Sequence, residues 1–145
     1  MRLSTILLPV TFLSTLTLTL ALPLNPDTSP IPSSALLHLI PHQSCLDTCG
    51  SVCYYSNTVA AAQSRGYSLF SSGDDINSYP HIYNNWEGLD FPISGPYYEY
   101  PILRTFRVYT GGDPGPDRVI FNSRNQYAGL ITHQGASGNA FEDCV

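Results

Sequence analysis

The sequence predicts an α+β domain: one α-helix packed on a twisted antiparallel β-sheet, with an N-terminal hairpin and two disulfides. Three observations predict it. A single segment, Thr58 to Phe70, carries apolar residues at helical spacing. Beyond it, β-branched and aromatic runs alternate with turns rich in Gly, Pro and Asn. All four cysteines fall in the part of the chain that holds these elements.

The chain has 145 residues, room for one domain. Met1-Arg2 gives a short positive start, Leu3 to Leu20 carries no charge, and Thr19-Leu20-Ala21 offers small residues for cleavage. Residues 1–21 therefore read as a signal peptide. Pro9 and the interspersed Ser and Thr weaken the competing reading, a membrane anchor. Residues 22–44 hold Pro23, Pro26, Pro30, Pro32 and Pro41, and read as a pro-segment or linker. The domain is then 45–145.

Within it, Cys45 to Tyr55 is turn-rich and reads as a tight hairpin pinned by a disulfide. Ser56-Asn57-Thr58 offers N-cap side chains. Val59, Ala62, Gly66, Leu69 and Phe70 mark one face of a helix that Ser71-Ser72-Gly73-Asp74-Asp75 ends. Strands are expected at Tyr97 to Leu103, Arg107 to Tyr109, Asp117 to Phe121 and Tyr127 to Thr132. The turns between them are short, which favours antiparallel pairing. There is no internal repeat.

A leader and four cysteines imply two disulfides in an oxidising compartment, hence a secreted protein. Cys45, Cys49 and Cys53 cluster at the start of the domain and Cys144 lies at its end, so at least one bridge ties the two ends. The spacing is not that of a zinc ribbon or finger. The domain carries five Arg, no Lys and ten carboxylates. Such a surface excludes holding a polynucleotide by a broad cationic face. A site acting on nucleic acid must be compact, reading one base and one phosphate.

Four residues suit phosphate chemistry. His81 and His133 are the domain's two histidines, able to move protons in either direction near neutral pH. Glu99 stands inside an aromatic strand between Tyr98 and Tyr100. Arg118 has the opposite parity to Val119 and Phe121 and so faces the other side of its strand. Two imidazoles, a carboxylate and a guanidinium supply a base, an acid and a fixed cation without a metal. Hydrogen-bonded surface histidines and a structural Glu99–Arg118 ion pair are the plain alternatives.

The order of these residues resembles the guanyl-specific ribonucleases of fungi. The matching stretches are Ser78-Tyr79-Pro80-His81, Tyr83-Asn84-Asn85-Trp86-Glu87-Gly88, Pro96-Tyr97-Tyr98-Glu99-Tyr100-Pro101-Ile102, Asp117-Arg118-Val119-Ile120-Phe121, Ile131-Thr132-His133 and Gly135-Ala136-Ser137-Gly138-Asn139-Ala140-Phe141. Together they span essentially all of 45–145. The resemblance implies that Glu99 is the general base, assisted by His81, and that His133 is the general acid. It places Arg118 and Tyr79 on the charged phosphorus centre and Phe141 beside the phosphate. It implies a single-stranded RNA substrate, a 2′,3′-cyclic phosphate followed by a 3′-phosphate end, and no cofactor or metal. DNA lacks the 2′ nucleophile and is not a substrate. The mature form is expected to be a monomer with no membrane partner.

Guanine recognition follows the same resemblance. Glu87 accepts N1–H and N2–H, whereas adenine would present an unprotonated N1 to that carboxylate. Tyr83, Asn84 and Asn85 form the base loop, Tyr83 and Trp86 stack on the base, and Asn139 meets the exocyclic amine. Asn84-Asn85 also reads as an ordinary turn. The family's disulfides pair Cys45 with Cys53 and Cys49 with Cys144, and Pro80 and Pro96 match positions that often carry cis bonds. Several residues depart from the pattern. Ile82 replaces a commonly charged residue, Trp86 replaces the commoner tyrosine, and the Ser71–Ser78 segment is short. Arg104 and Arg107 stand where relatives have small polar residues and read as solvated charges, or else as contacts to a neighbouring phosphate. The other functional class is a non-catalytic ribonuclease-like effector that binds RNA or a host protein. Such relatives lose one or more of His81, Glu99, Arg118 and His133, and all four are present here.

Overall fold

The N-terminal hairpin is the first element in the computed structural model, which describes residues 44–145; the leader 1–21 and the pro-segment up to residue 43 lie outside the described residues. Strands β1 (Cys45–Cys49) and β2 (Val52–Tyr55) pair antiparallel, as the turn-rich sequence predicts. Gly50 turns the chain between them with a φ of 59°, a conformation that suits glycine. The Cys45–Cys53 disulfide cross-links the two strands.

Helix α1 (Ser56–Ser72) follows β2 with no intervening loop. It begins two residues before the expected start, and its N-cap is Tyr55, which makes no side-chain capping bond. Asn57 Oδ1 accepts only the Thr58 N–H, at 2.9 Å. Packing of the buried face, Val59, Ala62, Gly66 and Leu69, stabilises the helix in place of a cap. The other end closes as expected at Gly73, which is left-handed with φ 74°. The N–H groups of Gly73 and Asp74 donate to the Phe70 and Leu69 carbonyls at 3.2 and 3.0 Å, satisfying the last turn.

The main sheet has five antiparallel strands in sequential order: β3 (His81–Tyr83), β4 (Tyr97–Pro101), β5 (Asp117–Asn122), β6 (Tyr127–Thr132) and β7 (Glu142–Asp143). The three central strands match the runs read from the sequence. The strand expected at Arg107 to Tyr109 is replaced by a single bridge, Ile102 to Val108. Phe106 explains this: its φ of 60° closes a turn in which its N–H donates to the Leu103 carbonyl at 2.8 Å. The chain folds back at once, and Tyr109 drops into the core with its carbonyl accepting from the Tyr100 hydroxyl at 2.7 Å. Tyr79–Pro80 and Gly95–Pro96 are both cis, as the resemblance implies.

The two sheet faces bury different partners. Tyr100, Val119, Phe121 and Leu130 pack with the helix residues Val59, Ala62 and Leu69. Tyr83, Ile120 and Ile131 form a second cluster with Phe91, Ile93, Tyr97 and Phe141. Pairing in β3–β5 sets His81 opposite Glu99 and Glu99 opposite Ile120, with Arg118 opposite Pro101. The twofold repeat of a strand therefore puts His81, Glu99 and Arg118 on the face away from the helix.

The chain's end is tied back to its hairpin. Cys49 bonds Cys144 across a separation of 95 residues. Restricting so long a loop in the unfolded chain contributes up to ~4.7 kcal/mol in the entropy model. Thr48 and Val145 exchange backbone hydrogen bonds at 2.6 and 3.1 Å. Tyr127 donates to Asp47 Oδ2 at 2.6 Å, fixing the hairpin against β6.

Helix and sheet meet most closely at Gly66. A Cβ there would lie 2.8 Å from Tyr100 Cβ and 2.9 Å from the Phe121 ring. Gly66→Ala should therefore destabilise the domain by about 1–3 kcal/mol through overpacking, outweighing a helix-propensity gain of about 1 kcal/mol. Urea unfolding of the two proteins measures the difference, and an unchanged or raised midpoint would contradict this contact.

Candidate active site

Glu99 is the centre of the site. It is 7% exposed, on β4, with Ile120 opposite it on β5 and His81 opposite it on β3. His81 Nε2 donates to its Oε1 across the β3–β4 register. Arg118 Nε stands 3.5 Å from its Oε2. Both of those last atoms are buried and lack a hydrogen-bond partner among the described residues. The two atoms face each other, each with hydrogen-bonding capacity left over.

Arg118 is itself 4% exposed and anchored by its other nitrogens. One terminal nitrogen donates to the Gly115 and Asp117 carbonyls at 2.7 and 2.9 Å. The other donates to the Tyr79 hydroxyl at 2.9 Å, with the guanidinium 5.0 Å from the Tyr79 ring centre. Tyr79 comes from the loop before β3 and stacks beside His81 at 4.8 Å. The hydrogen bond to Glu99 pushes the His81 pKa up, burial opposes it, and the Ser78 carbonyl adds to the rise; the net direction is upward. Both ring nitrogens face acceptors, Glu99 and Ser78, so the imidazolium is the form that satisfies them.

His133 joins the cluster through Phe141. It follows β6, and its ring stacks on Phe141 with centres 3.7 Å apart. Its Nδ1 faces the Ala140 carbonyl at 2.8 Å, so Nδ1 carries the proton that donates there and Nε2 is the nitrogen left for chemistry. Phe141 also stands 5.9 Å from the Arg118 guanidinium. The catalytic set named from the sequence, Tyr79, His81, Glu99, Arg118, His133 and Phe141, is thus one connected cluster.

A cleft of about 220 Å³ adjoins it, lined by His81, Ile82, Glu99 and Phe141 and by Tyr83, Asn84, Asn85, Trp86, Glu87 and Asn139. Every residue expected to meet the base lines this cleft. Glu87 accepts from the Tyr83 hydroxyl at 2.9 Å and from the Phe141 N–H at 3.0 Å. Burial alone would raise the Glu87 carboxyl, but hydrogen bonds from its own backbone N–H, Tyr83 and Phe141 outweigh it and hold the pKa below the usual value. Burial, then the Glu87 carboxylate, keep the Tyr83 hydroxyl protonated and donating. The Asn85 side chain is engaged with the Leu89 backbone, accepting its N–H and donating to its carbonyl, each at 2.8 Å. Together with a φ of 53°, this makes Asn85 the residue that shapes the loop. Trp86 is 90% exposed at the lip.

Spacing alone does not disclose one arrangement beside the cluster. Arg104, read as a solvated charge or a phosphate contact, instead pairs with Asp117, its Nε 2.9 Å from Oδ2. Asp117 is fully buried and also accepts from Tyr54 at 2.8 Å and Thr132 at 2.5 Å. An isolated carboxylate at the head of a β-branched strand needs such partners, and that was the signal available in the sequence.

Comparisons with known proteins identify the family of the whole domain. A family model described as ribonuclease matches residues 42–145. Guanyl-specific ribonuclease Pc of Penicillium chrysogenum is 59% identical over 70% of this chain and 99% of its own length. Guanyl-specific ribonuclease Ms of Aspergillus phoenicis is 60% identical over 70% of this chain and 97% of its own. A solved ribonuclease from Hericium erinaceus superposes with a TM-score of 0.52 at 32% identity, covering 68% of this chain and 97% of that one. A family model that spans the whole described domain, and relatives matched almost end to end, lead to one conclusion: the chain belongs to the fungal guanyl-specific ribonuclease family.

Proposed function

We propose that this protein is a secreted endoribonuclease that cuts single-stranded RNA on the 3′ side of guanosine. The ribose 2′ oxygen attacks phosphorus as its proton passes to Glu99. The bond from phosphorus to the 5′ oxygen breaks as His133 Nε2 protonates that oxygen, leaving a 2′,3′-cyclic phosphate. Water then opens the ring with the roles of acid and base reversed, giving a 3′-phosphate. A nucleophile carried by the substrate gains much of its advantage from alignment alone. Removal of residues 1–44 in maturation fits the relatives, one of which is matched over 99% of its length by 101 residues of this chain.

The observation that supports this reading is one chain of contacts: His81 on Glu99, Glu99 Oε2 facing Arg118 Nε at 3.5 Å, Arg118 on Tyr79 and near Phe141, and Phe141 stacked on His133. A phosphate and its adjacent 2′ hydroxyl offer an oxygen to the guanidinium and a proton to the carboxylate. His81 donates through both ring nitrogens and has no lone pair to spare, which supports Glu99 as the base and His81 as its cationic neighbour. Arg118 and Tyr79 stabilise the charge that grows on the phosphorane. Phe141 covers the phosphate and seats the His133 ring.

Guanine enters the adjoining cleft against Glu87, with the Tyr83–Trp86 loop and Asn139 around it. Within the cleft that carboxylate already accepts two hydrogen bonds, so the base's N1–H and N2–H take up its remaining lone pairs or displace those donors.

Digestion of a mixed-sequence RNA in excess chelator, with analysis of the ends, tests the whole reading. Fragments ending in guanosine 2′,3′-cyclic or 3′-phosphate are expected. Binding without cleavage would favour the non-catalytic effector instead. Glu87→Ala should lower the preference for guanosine over adenosine dinucleotides by about 100-fold or more, measured as the ratio of kcat/KM values. The raised His81 pKa has a stability consequence of known sign. Its contribution is fully present below the ordinary value of 6.5 and is lost as pH rises through the folded-state pKa above it. Urea midpoints should therefore fall between pH 6 and pH 9 more in this protein than in His81→Gln; equal falls would remove the His81–Glu99 contact as the cause.

A further inference from the structure

We propose that Arg104 is a positioning residue for His133, acting through Asp117 and Gln134; this rests on the reading of His133 as the general acid. The argument begins with what holds His133. Its ring is fixed at one end by Ala140 and by Phe141. Its backbone N–H donates to the Pro116 carbonyl at 3.0 Å. Beyond it the loop runs through Gly135 and Gly138, with φ of 98° and 62°, and is held within itself by two turn hydrogen bonds, Ala136 N–H to the His133 carbonyl at 3.3 Å and Ala140 N–H to the Ser137 carbonyl at 3.1 Å.

Arg104 supplies restraint from both flanks. Its guanidinium donates to Asp117 through Nε at 2.9 Å and a terminal nitrogen at 3.4 Å, and that same terminal nitrogen donates to Gln134 Oε1. Asp117 Oδ1 accepts the Thr132 hydroxyl at 2.5 Å, and Thr132 Oγ1 accepts the Gln134 N–H at 3.0 Å. The residues immediately before and after His133 are therefore both tied to one cation. The Gln134 side chain also lies on Gly50 in the hairpin turn, where an added Cβ would strike it. The Arg104 side chain is 37% exposed, so solvent screens its charge; the planar fork, which fixes direction as well as distance, matters more than the Coulomb attraction. Without it, Gln134 loses its side-chain partner and the fully buried Asp117 loses its cation. The segment 132–134 is then free to shift, carrying Nε2 off the line to the leaving oxygen.

The leaving group separates this role from general stability. A nucleoside leaving group needs a positioned acid, whereas p-nitrophenolate departs without one. Arg104→Ala should lower kcat on guanylyl-3′,5′-cytidine by up to about 100-fold, with KM little changed. On guanosine 3′-(p-nitrophenyl phosphate) it should remain within about threefold of the parent, and Arg104→Lys should recover part of the loss. Gln134→Ala, which keeps the Asp117 pair, should show a smaller loss of the same kind, and it carries the test if Arg104→Ala does not fold. Equal losses on both substrates, or none on either, would overturn the proposal. His133→Ala is the reference: if it too fails to discriminate between the leaving groups, the general-acid reading falls first and the Arg104 role with it.

Discussion

The structure turns on keeping two opposite charges, Glu99 and Arg118, inside the sheet yet short of full pairing. Both side chains are almost wholly buried, and their nearest approach, 3.5 Å, forms an ion pair without a hydrogen bond. Burial of this kind is costly unless each charge finds other partners. Those partners are built in: His81 for the carboxylate, and Tyr79 with the Gly115 and Asp117 carbonyls for the guanidinium. The helix, by covering the opposite face, lets the site face carry charge while the sheet keeps an apolar core. Both groups are thus fixed in direction by the fold itself.

Recognition and reaction are joined through Phe141. Its ring seats His133 and approaches Arg118, while its backbone N–H reaches Glu87 in the base cleft. One short segment, Ala140–Phe141, thus holds both His133, through its carbonyl, and Glu87, through its N–H; in the proposed reading these are the two ends of a single nucleotide's site. Register does the rest. In strands β3 and β4 the pairs His81 with Glu99 and Tyr83 with Tyr97 follow each other on one face, so a step of two residues leads from the Glu99 cluster to the cleft without a change of side.

Much of this was legible in the sequence because the site lies on regular elements. Strand parity alone assigned Arg118 to the face opposite Val119 and Phe121. The three long strands and the helix carry enough periodic residues to be read. β3 and β7, of three and two residues, do not, and they exist because neighbours pair with them. The missed turn at Phe106 needs a left-handed bulky residue, which no propensity rule anticipates; its ring is held against Tyr54 and Tyr55 instead. Arg104 was misread for a related reason. A carboxylate at the head of a β-branched strand signals a need for partners, but nothing local to Arg104 shows that Asp117, thirteen residues on, turns a lone pair toward it. His81, Glu99, Arg118 and His133 stood out by residue type, with plainer alternatives left open; their individual roles, Tyr79, Phe141 and the base contacts came from resemblance in motif order.

The residue at the lip of the cleft has one more consequence. Trp86 is the only tryptophan in the chain, and it stands almost free in solvent beside the space a purine would occupy. Its indole emission therefore arises from a single place, with no second fluorophore of its kind to dilute it. An incoming base that covers the ring changes both its hydration and its quenching. The molecule carries its own optical gauge of occupancy, so the filling of the cleft is open to direct observation in real time, separately from the cutting that follows.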